Sequence, residues 1–113
     1  MTRAVLVVQS RPSDPSRERE YNDWYDNVHL GEVCAIDGIV SARRFQLSDD
    51  QMNGANRDES ARQYLAIYEI SSDDVGATLR AITEARLDGT LHMSDAIERD
   101  PPPVSTCYEL RET

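Results

Sequence analysis

Apolar and polar residues along this chain fall into blocks whose period switches between strand and helix, in the order β-α-β-β-α-β. Ala4 to Gln9 is a short, β-branched, nearly unbroken apolar run, which predicts a central strand covered on both faces. A polar turn with two prolines follows, and it carries helix-start chemistry: Ser13 or Asp14 can cap, Pro15 fits a first helical position, and Glu18 and Glu20 suit the positive end of the helix dipole. The helix is expected to run to about Ala35, with Gly31 as a weak point and Asp37-Gly38 as its stop. Ile39 to Leu47 reads as a strand with Ile39, Ser41, Arg43 and Phe45 on one face and Val40, Ala42, Arg44 and Gln46 on the other. Ser48 to Arg62 is polar and centred on Asn53-Gly54, so it predicts an exposed hairpin loop.

Gln63 to Ile70 alternates Tyr64, Ala66, Tyr68 and Ile70 against Leu65, Ile67 and Glu69, the pattern of a half-buried strand. Ser71 to Asp74 caps a second helix from about Asp74 to Leu87, whose stripe is Val75, Leu79, Ile82 and Ala85 or Arg86; Asp88-Gly89 ends it. Leu91 to Glu98 suits a short extra helix, Asp100 to Pro103 an extended spacer, and Val104 to Leu110 a closing strand. This order predicts a single domain over residues 1–113, α+β and ferredoxin-like, with one four-stranded antiparallel sheet and both helices on one face. Apolar and aromatic residues alternate onto both sides of the strands. The second face therefore needs cover as well, and a second copy of the chain supplies it most simply, which predicts a homodimer.

Charge narrows the partners. The formal net charge is -9 and all twelve basic residues are arginines, which argues against nucleic acid and anionic membrane and leaves no lysine for a Schiff base. Cys34 and Cys107 stand apart from each other and from any Cys/His cluster, so they read as buried thiols in a cytoplasmic protein with neither a disulfide framework nor a zinc site. The opening residues lack the pattern of a signal peptide, and no segment is long and apolar enough for a membrane span.

Candidate chemistry concentrates on the first helix. At helical spacing Tyr21, Tyr25 and His29 form one row, with Trp24 and Val28 in the row beside it, so aromatic bulk flanks an imidazole. About 1.5 Å of rise per residue puts Tyr21 and His29 roughly 12 Å apart, which makes His29 with Tyr25 the tighter pair. His29 can act as an acid or base, or it can close the helix and pack. Trp24 can pack between helix and sheet or touch a ligand. Tyr64 and Tyr68 share a strand face, so both point into a barrel or both lie under the helices. Of Arg43 and Arg44, one reaches solvent or an acidic partner and the other can hold an oxyanion. His92, in a polar segment, suits a lid or pocket mouth. Asp23 with Asp26 and Asp73 with Asp74 read as solvated helix charge, and no metal spacing, nucleophile elbow or phosphate loop is present.

With Tyr21, Trp24-Tyr25 and His29, the Gly38 to Phe45 turn and strand, the Tyr64 to Glu69 strand and Met93 to Ala96, nearly the whole chain resembles the dimeric α/β-barrel superfamily, most of all the small bacterial EthD-like proteins. The resemblance implies a ferredoxin-like fold whose sheets pair into a barrel across a dimer. That superfamily hosts polyketide cyclases, muconolactone isomerase, cofactor-free monooxygenases and haem enzymes such as chlorite dismutase, so the fold selects no single reaction. His92 is poorly placed to ligate a haem.

The row around His29, the expected cavity and the lack of cofactor motifs predict a cofactor-independent cyclase, isomerase or lyase. It would act on a hydrophobic or aromatic carbonyl compound, with His29 and Tyr25 catalytic and Tyr21, Trp24, Arg43, Arg44, Tyr64, Tyr68 and His92 around the substrate. The competing expectations are a cofactor-free monooxygenase, a non-catalytic binding or accessory protein holding a small apolar ligand, and a barrel filled by its own side chains.

Overall fold

The computed structural model describes residues 1–52 and 61–112. Strands β1 (Thr2–Ser10), β2 (Ile39–Gln46), β3 (Tyr64–Ser72) and β4 (Val104–Glu109) form one antiparallel sheet in the order β2-β3-β1-β4. The ferredoxin-like α+β architecture is thus the observed one, with β1 at the sheet centre as its β-branched run requires. The expected hairpin loop falls largely on residues 53–60, which lie outside the described residues; its base is closed by Leu47 N–H donating to Gln63 O at 2.8 Å.

The first helix, α1, is continuous over residues 15–34. Asp14 caps it, its carboxylate accepting from Ser16 N–H at 2.9 Å, and Pro15 takes a first-turn position where a missing N–H costs nothing. Its course is not uniform: a 3-10 turn (Pro15–Arg17) leads into an α segment (Glu18–Trp24), a π turn (Tyr25–His29) and a second α segment (Leu30–Cys34). Gly31 does not interrupt it. Gly38, at φ 97°, makes the turn into β2, and a Cβ there would meet the Thr78 hydroxyl at 2.6 Å, so the position demands glycine on both counts. Helix α2 (Val75–Leu87) starts at Asp74, whose side chain accepts from Ala77 N–H at 3.0 Å.

Four expectations are corrected. Leu91 to Glu98 forms no helix. Its backbone is engaged elsewhere: Ser13 N–H donates to Ala96 O, Glu98 N–H donates to Arg11 O, Pro12 bridges Ile97 and Leu91 N–H donates to Ala85 O, so the segment is a strap with Leu91, Ala96 and Ile97 buried. The register shift between Ile39 and Ser41 moves Ile39 off the face of Arg43 and Phe45 and buries it under the helices, leaving Val40 exposed. β1 is not covered on both faces within one chain, since Val5, Val7 and Gln9 are only half-buried. Both cysteines are free but half-buried rather than buried.

Pairing across the sheet sorts the side chains into two sets. Beneath the helices run the rows Gln46, Tyr64, Ser10; then Arg44, Ala66, Val8; then Ala42, Tyr68, Leu6. The opposite face carries Phe45, Leu65, Gln9, Val104; then Arg43, Ile67, Val7, Thr106; then Ser41, Glu69, Val5, Tyr108. Tyr64 and Tyr68 therefore both lie under the helices, and the two arginines part company.

Candidate functional site

Arg44 stands opposite Ala66, the smallest residue in its row, and the space this leaves lets a guanidinium settle among aromatic rings. Its carbon lies 4.3 Å from the Tyr25 ring centroid, 5.0 Å from Tyr64 and 5.3 Å from Tyr21. The side chain is 11% exposed and donates to Asp26 Oδ1 at 2.8 Å and to Asn22 Oδ1 at 2.9 Å. Asn22 in turn donates to the Tyr64 hydroxyl at 3.1 Å, and the Tyr21 and Ser10 hydroxyls share a bond of 2.6 Å. A cation is thus held by aromatic faces inside the protein, with a carboxylate at its outer edge.

The π turn builds the neighbouring half of the site. Leu30 N–H donates to Tyr25 O, an i to i+5 bond that widens the helix by one residue. In such a turn a residue falls between the positions four and five before it, and His29 does so. Its ring stacks on Trp24 at 4.7 Å and meets Tyr25 edge-on at 5.0 Å. The straight α row that the spacing predicts for Tyr21, Tyr25 and His29 is bent here, and His29 gains a second aromatic wall. Tyr25 is the hub, in contact with Tyr21, Trp24, His29 and Arg44.

Burial sets the protonation states. It pushes the His29 imidazole down to about 4, with Glu32 pulling it back up and Arg44 adding to the fall, so the ring is neutral at pH 7. It pushes the Tyr25 phenol up to about 12, against smaller pulls from Tyr68, Arg44 and Ser10, and raises Tyr21 and Tyr68 too. All three phenols are therefore protonated donors at neutral pH. Three buried side-chain polar atoms lack a hydrogen-bond partner among the described residues: His29 Nδ1, Arg44 Nε and the Tyr68 hydroxyl oxygen. The Tyr68 oxygen lies near enough to Tyr25 to influence its ionisation without completing a hydrogen bond. Each of the three belongs to a residue beside Tyr25. Partnerless buried groups cost about 1–3 kcal/mol apiece and are rare in a settled core, so three around one ring set this region apart from ordinary packing.

The remaining candidates lie further out. Arg43 sits on the open sheet face, exposed, with its guanidinium 3.4 Å from Glu69 Oε1, and is no part of this cluster. The His92 ring is 77% exposed and bonded to Glu32, but its backbone carbonyl accepts from the Trp24 indole at 2.7 Å. A groove of about 360 Å³ is lined by Asn22, Asp26, Arg44, Phe45, Gln46 and Tyr64, and His29 is not among its lining residues. A larger hollow of about 600 Å³ lies at one end of the sheet, on the side of Val5, Val40 and Tyr108. Among the described residues, no group of three or more His, Cys, Asp or Glu side chains could hold a metal ion, and no helix is long and apolar enough to cross a membrane.

Sequence reasoning set Asp26 aside as solvated charge and passed over Asn22 and Glu32. The signal was available for the first two, since Asn22 and Asp26 are four apart on the side of α1 that faces the sheet, and a buried Arg44 needs acceptors there.

No protein-family model matches the chain, and no curated protein matches it in sequence. Among solved structures it is similar to an EthD family protein of Bacillus halodurans, with 17% identity over 98% of this chain and all of that one at a TM-score of 0.62. HapK of Hahella chejuensis is also similar, with 12% identity over 97% of this chain and 92% of that one at a TM-score of 0.57. At these identities the likeness is one of fold.

Proposed function

We propose that the chain is a cofactor-independent enzyme that moves a proton next to the carbonyl of a hydrophobic or aromatic compound, as an isomerase, cyclase or lyase does. The observation that carries this reading is the set of partnerless polar atoms on His29, Arg44 and Tyr68 around the Tyr25 ring. Neutral His29 takes a proton from the carbon beside the carbonyl, the C–H electron pair shifts to make a C=C bond, and the carbonyl oxygen becomes an enolate. Arg44, together with the protonated Tyr25 and Tyr68 phenols, stabilises that oxygen. The imidazolium then returns the proton to another carbon, or the enolate attacks within the molecule or expels a leaving group. Because the ring stays neutral down to about pH 4, activity should stay flat through neutral pH with an acid limb nearer 4 than 6.5.

The open sheet face supports the second part of the proposal, pairing with another copy. Val40 is 63% exposed and Tyr108 61%, and Phe45 and Val104 share the surface, an apolar patch that a monomer does not usually leave in water.

The groove lined by Arg44 but not by His29 favours a second reading, a binding or accessory protein that holds a small anion or enol without reacting it. The two readings separate by substitution. Trp24, the single tryptophan, stacks on His29 and so reports occupancy by its fluorescence. For an enzyme, His29→Gln abolishes turnover of an aromatic carbonyl compound and leaves its fluorescence titration in place, while Arg44→Met weakens both. Turnover unchanged in His29→Gln would overturn the catalytic reading, and a titration unchanged in Arg44→Met would overturn the binding reading too.

A further inference from the structure

His29 has a third wall that does not itself touch the ring. Glu32, three residues on along α1, accepts the backbone N–H of His92 at 2.8 Å and also bonds the His92 ring Nδ1. The carbonyl of the same His92 accepts the Trp24 indole N–H at 2.7 Å, and the indole face stacks on His29 at 4.7 Å with the planes 26° apart. Glu32, His92, Trp24 and His29 thus close a ring of contacts that joins α1 to the strap over residues 91–97. The strap is held independently at its far end, where Arg17 bonds the Asp95 carboxylate at 2.6 Å and Ala96 is fully buried.

We propose that Glu32 is a positioning residue for the His29 ring: its carboxylate fastens the strap, the strap's His92 carbonyl holds the Trp24 indole, and the indole face sets the imidazole plane. This rests on reading His29 as the base. Stacking fixes a plane only as well as the stacking partner is fixed, and Trp24 has one polar anchor, the His92 carbonyl. Without Glu32 the amide of His92 loses its acceptor and the carbonyl its place.

Glu32 also acts on His29 through space. The charged groups that bear on the imidazole are Glu32 on its own helix and Arg44 on β2, with His92 on the strap paired to Glu32. Glu32 favours the protonated ring and Arg44 opposes it. The His92 pairing, led by its side-chain hydrogen bond, holds the Glu32 carboxylate below its ordinary range, so the charge persists through mildly acidic conditions.

Position and charge can be read apart by NMR without turnover. In Glu32→Ala the Trp24 indole N–H should exchange with solvent faster by roughly fivefold to tenfold, the equilibrium worth of one hydrogen bond, while the β1 and β3 amides stay protected. Glu32→Gln offers an acceptor to the His92 N–H and a donor to its ring, so indole exchange should stay at the wild-type rate while the His29 titration midpoint falls. An indole rate unchanged in Glu32→Ala would overturn the proposal. Should that variant not fold, an indole rate unchanged in Glu32→Met, which keeps the length of the side chain and removes its acceptors, would do so. Turnover that survives His29→Gln would instead strike the reading of the base, and would leave these exchange results untouched.

Discussion

The two faces of the single sheet depart from a simple domain in opposite directions. Beneath the helices, where apolar packing is expected, lie an arginine, four phenols and an imidazole, with partnerless atoms on His29, Arg44 and Tyr68. On the other side, where water is expected, lie Val40, Phe45, Val104 and Tyr108. Alternation along the strands feeds both, since β3 sends Tyr64 and Tyr68 beneath the helices and Leu65 and Ile67 to the open face. A buried face that carries unmet polar groups is suited to a small molecule, and an exposed face that carries apolar ones is suited to another surface. Under the proposed function, the contrast separates the face that would do chemistry from the face that would pair with another copy.

The largest expected effect is at the hub of the buried face. Tyr25→Ala should cost about 3–5 kcal/mol in urea unfolding, the usual penalty for emptying a large aromatic site, and the loss should be the same at every protein concentration. A loss that grows on dilution would break the contrast, because it would tie the hub to assembly.

Acid should reveal the second effect. The folded His29 pKa of about 4 lies below the ordinary 6.5, so the unfolded chain takes up the proton first. Stability from this residue is intact above pH 6.5 and falls between there and pH 4, by at most roughly 3 kcal/mol. His29→Gln should flatten that part of the stability profile, and a variant whose unfolding midpoint falls with acid as steeply as the wild type would count against a neutral buried ring.

On the open face, Tyr108→Asp should weaken pairing about tenfold to a hundredfold, roughly 1–3 kcal/mol, as seen by sedimentation equilibrium. The helical content should be untouched. A wild-type chain that is monomeric at all concentrations would remove the assembly half of the comparison. The smallest effect is expected at Tyr68→Phe, which removes a hydroxyl without a partner and should leave stability within about 1 kcal/mol of wild type, on either side. A large loss would show that the hydroxyl is bonded after all.

Much of the fold was legible because strand period, helix caps and turn residues agreed, as at Asp14-Pro15 and Asp37-Gly38. What escaped depends on tertiary contact. The strap over residues 91–97 has helical local preferences, yet its backbone bonds to Arg11 and Ser13 decide its form. The β2 irregularity that exchanges Ile39 for Val40 leaves no mark in the period, and neither does the π turn. The row of Tyr21, Tyr25 and His29 was visible from spacing. The choice between Arg43 and Arg44 was not, because both faces of β2 accept one arginine, and only the Ala66 gap and the acceptors Asn22 and Asp26 distinguish them.

Deuterium exchange at the carbon beside a carbonyl tests the central claim most directly, since it reports proton transfer even where the full reaction does not proceed. Across a panel of aromatic and hydrophobic carbonyl compounds in D₂O at pH 7, the protein should speed exchange into at least one of them. His29→Gln should lower that rate by about a hundredfold or more, the usual share of a general base. Exchange at the background rate for every compound, or at equal rates in the wild type and a folded His29→Gln, would contradict the account.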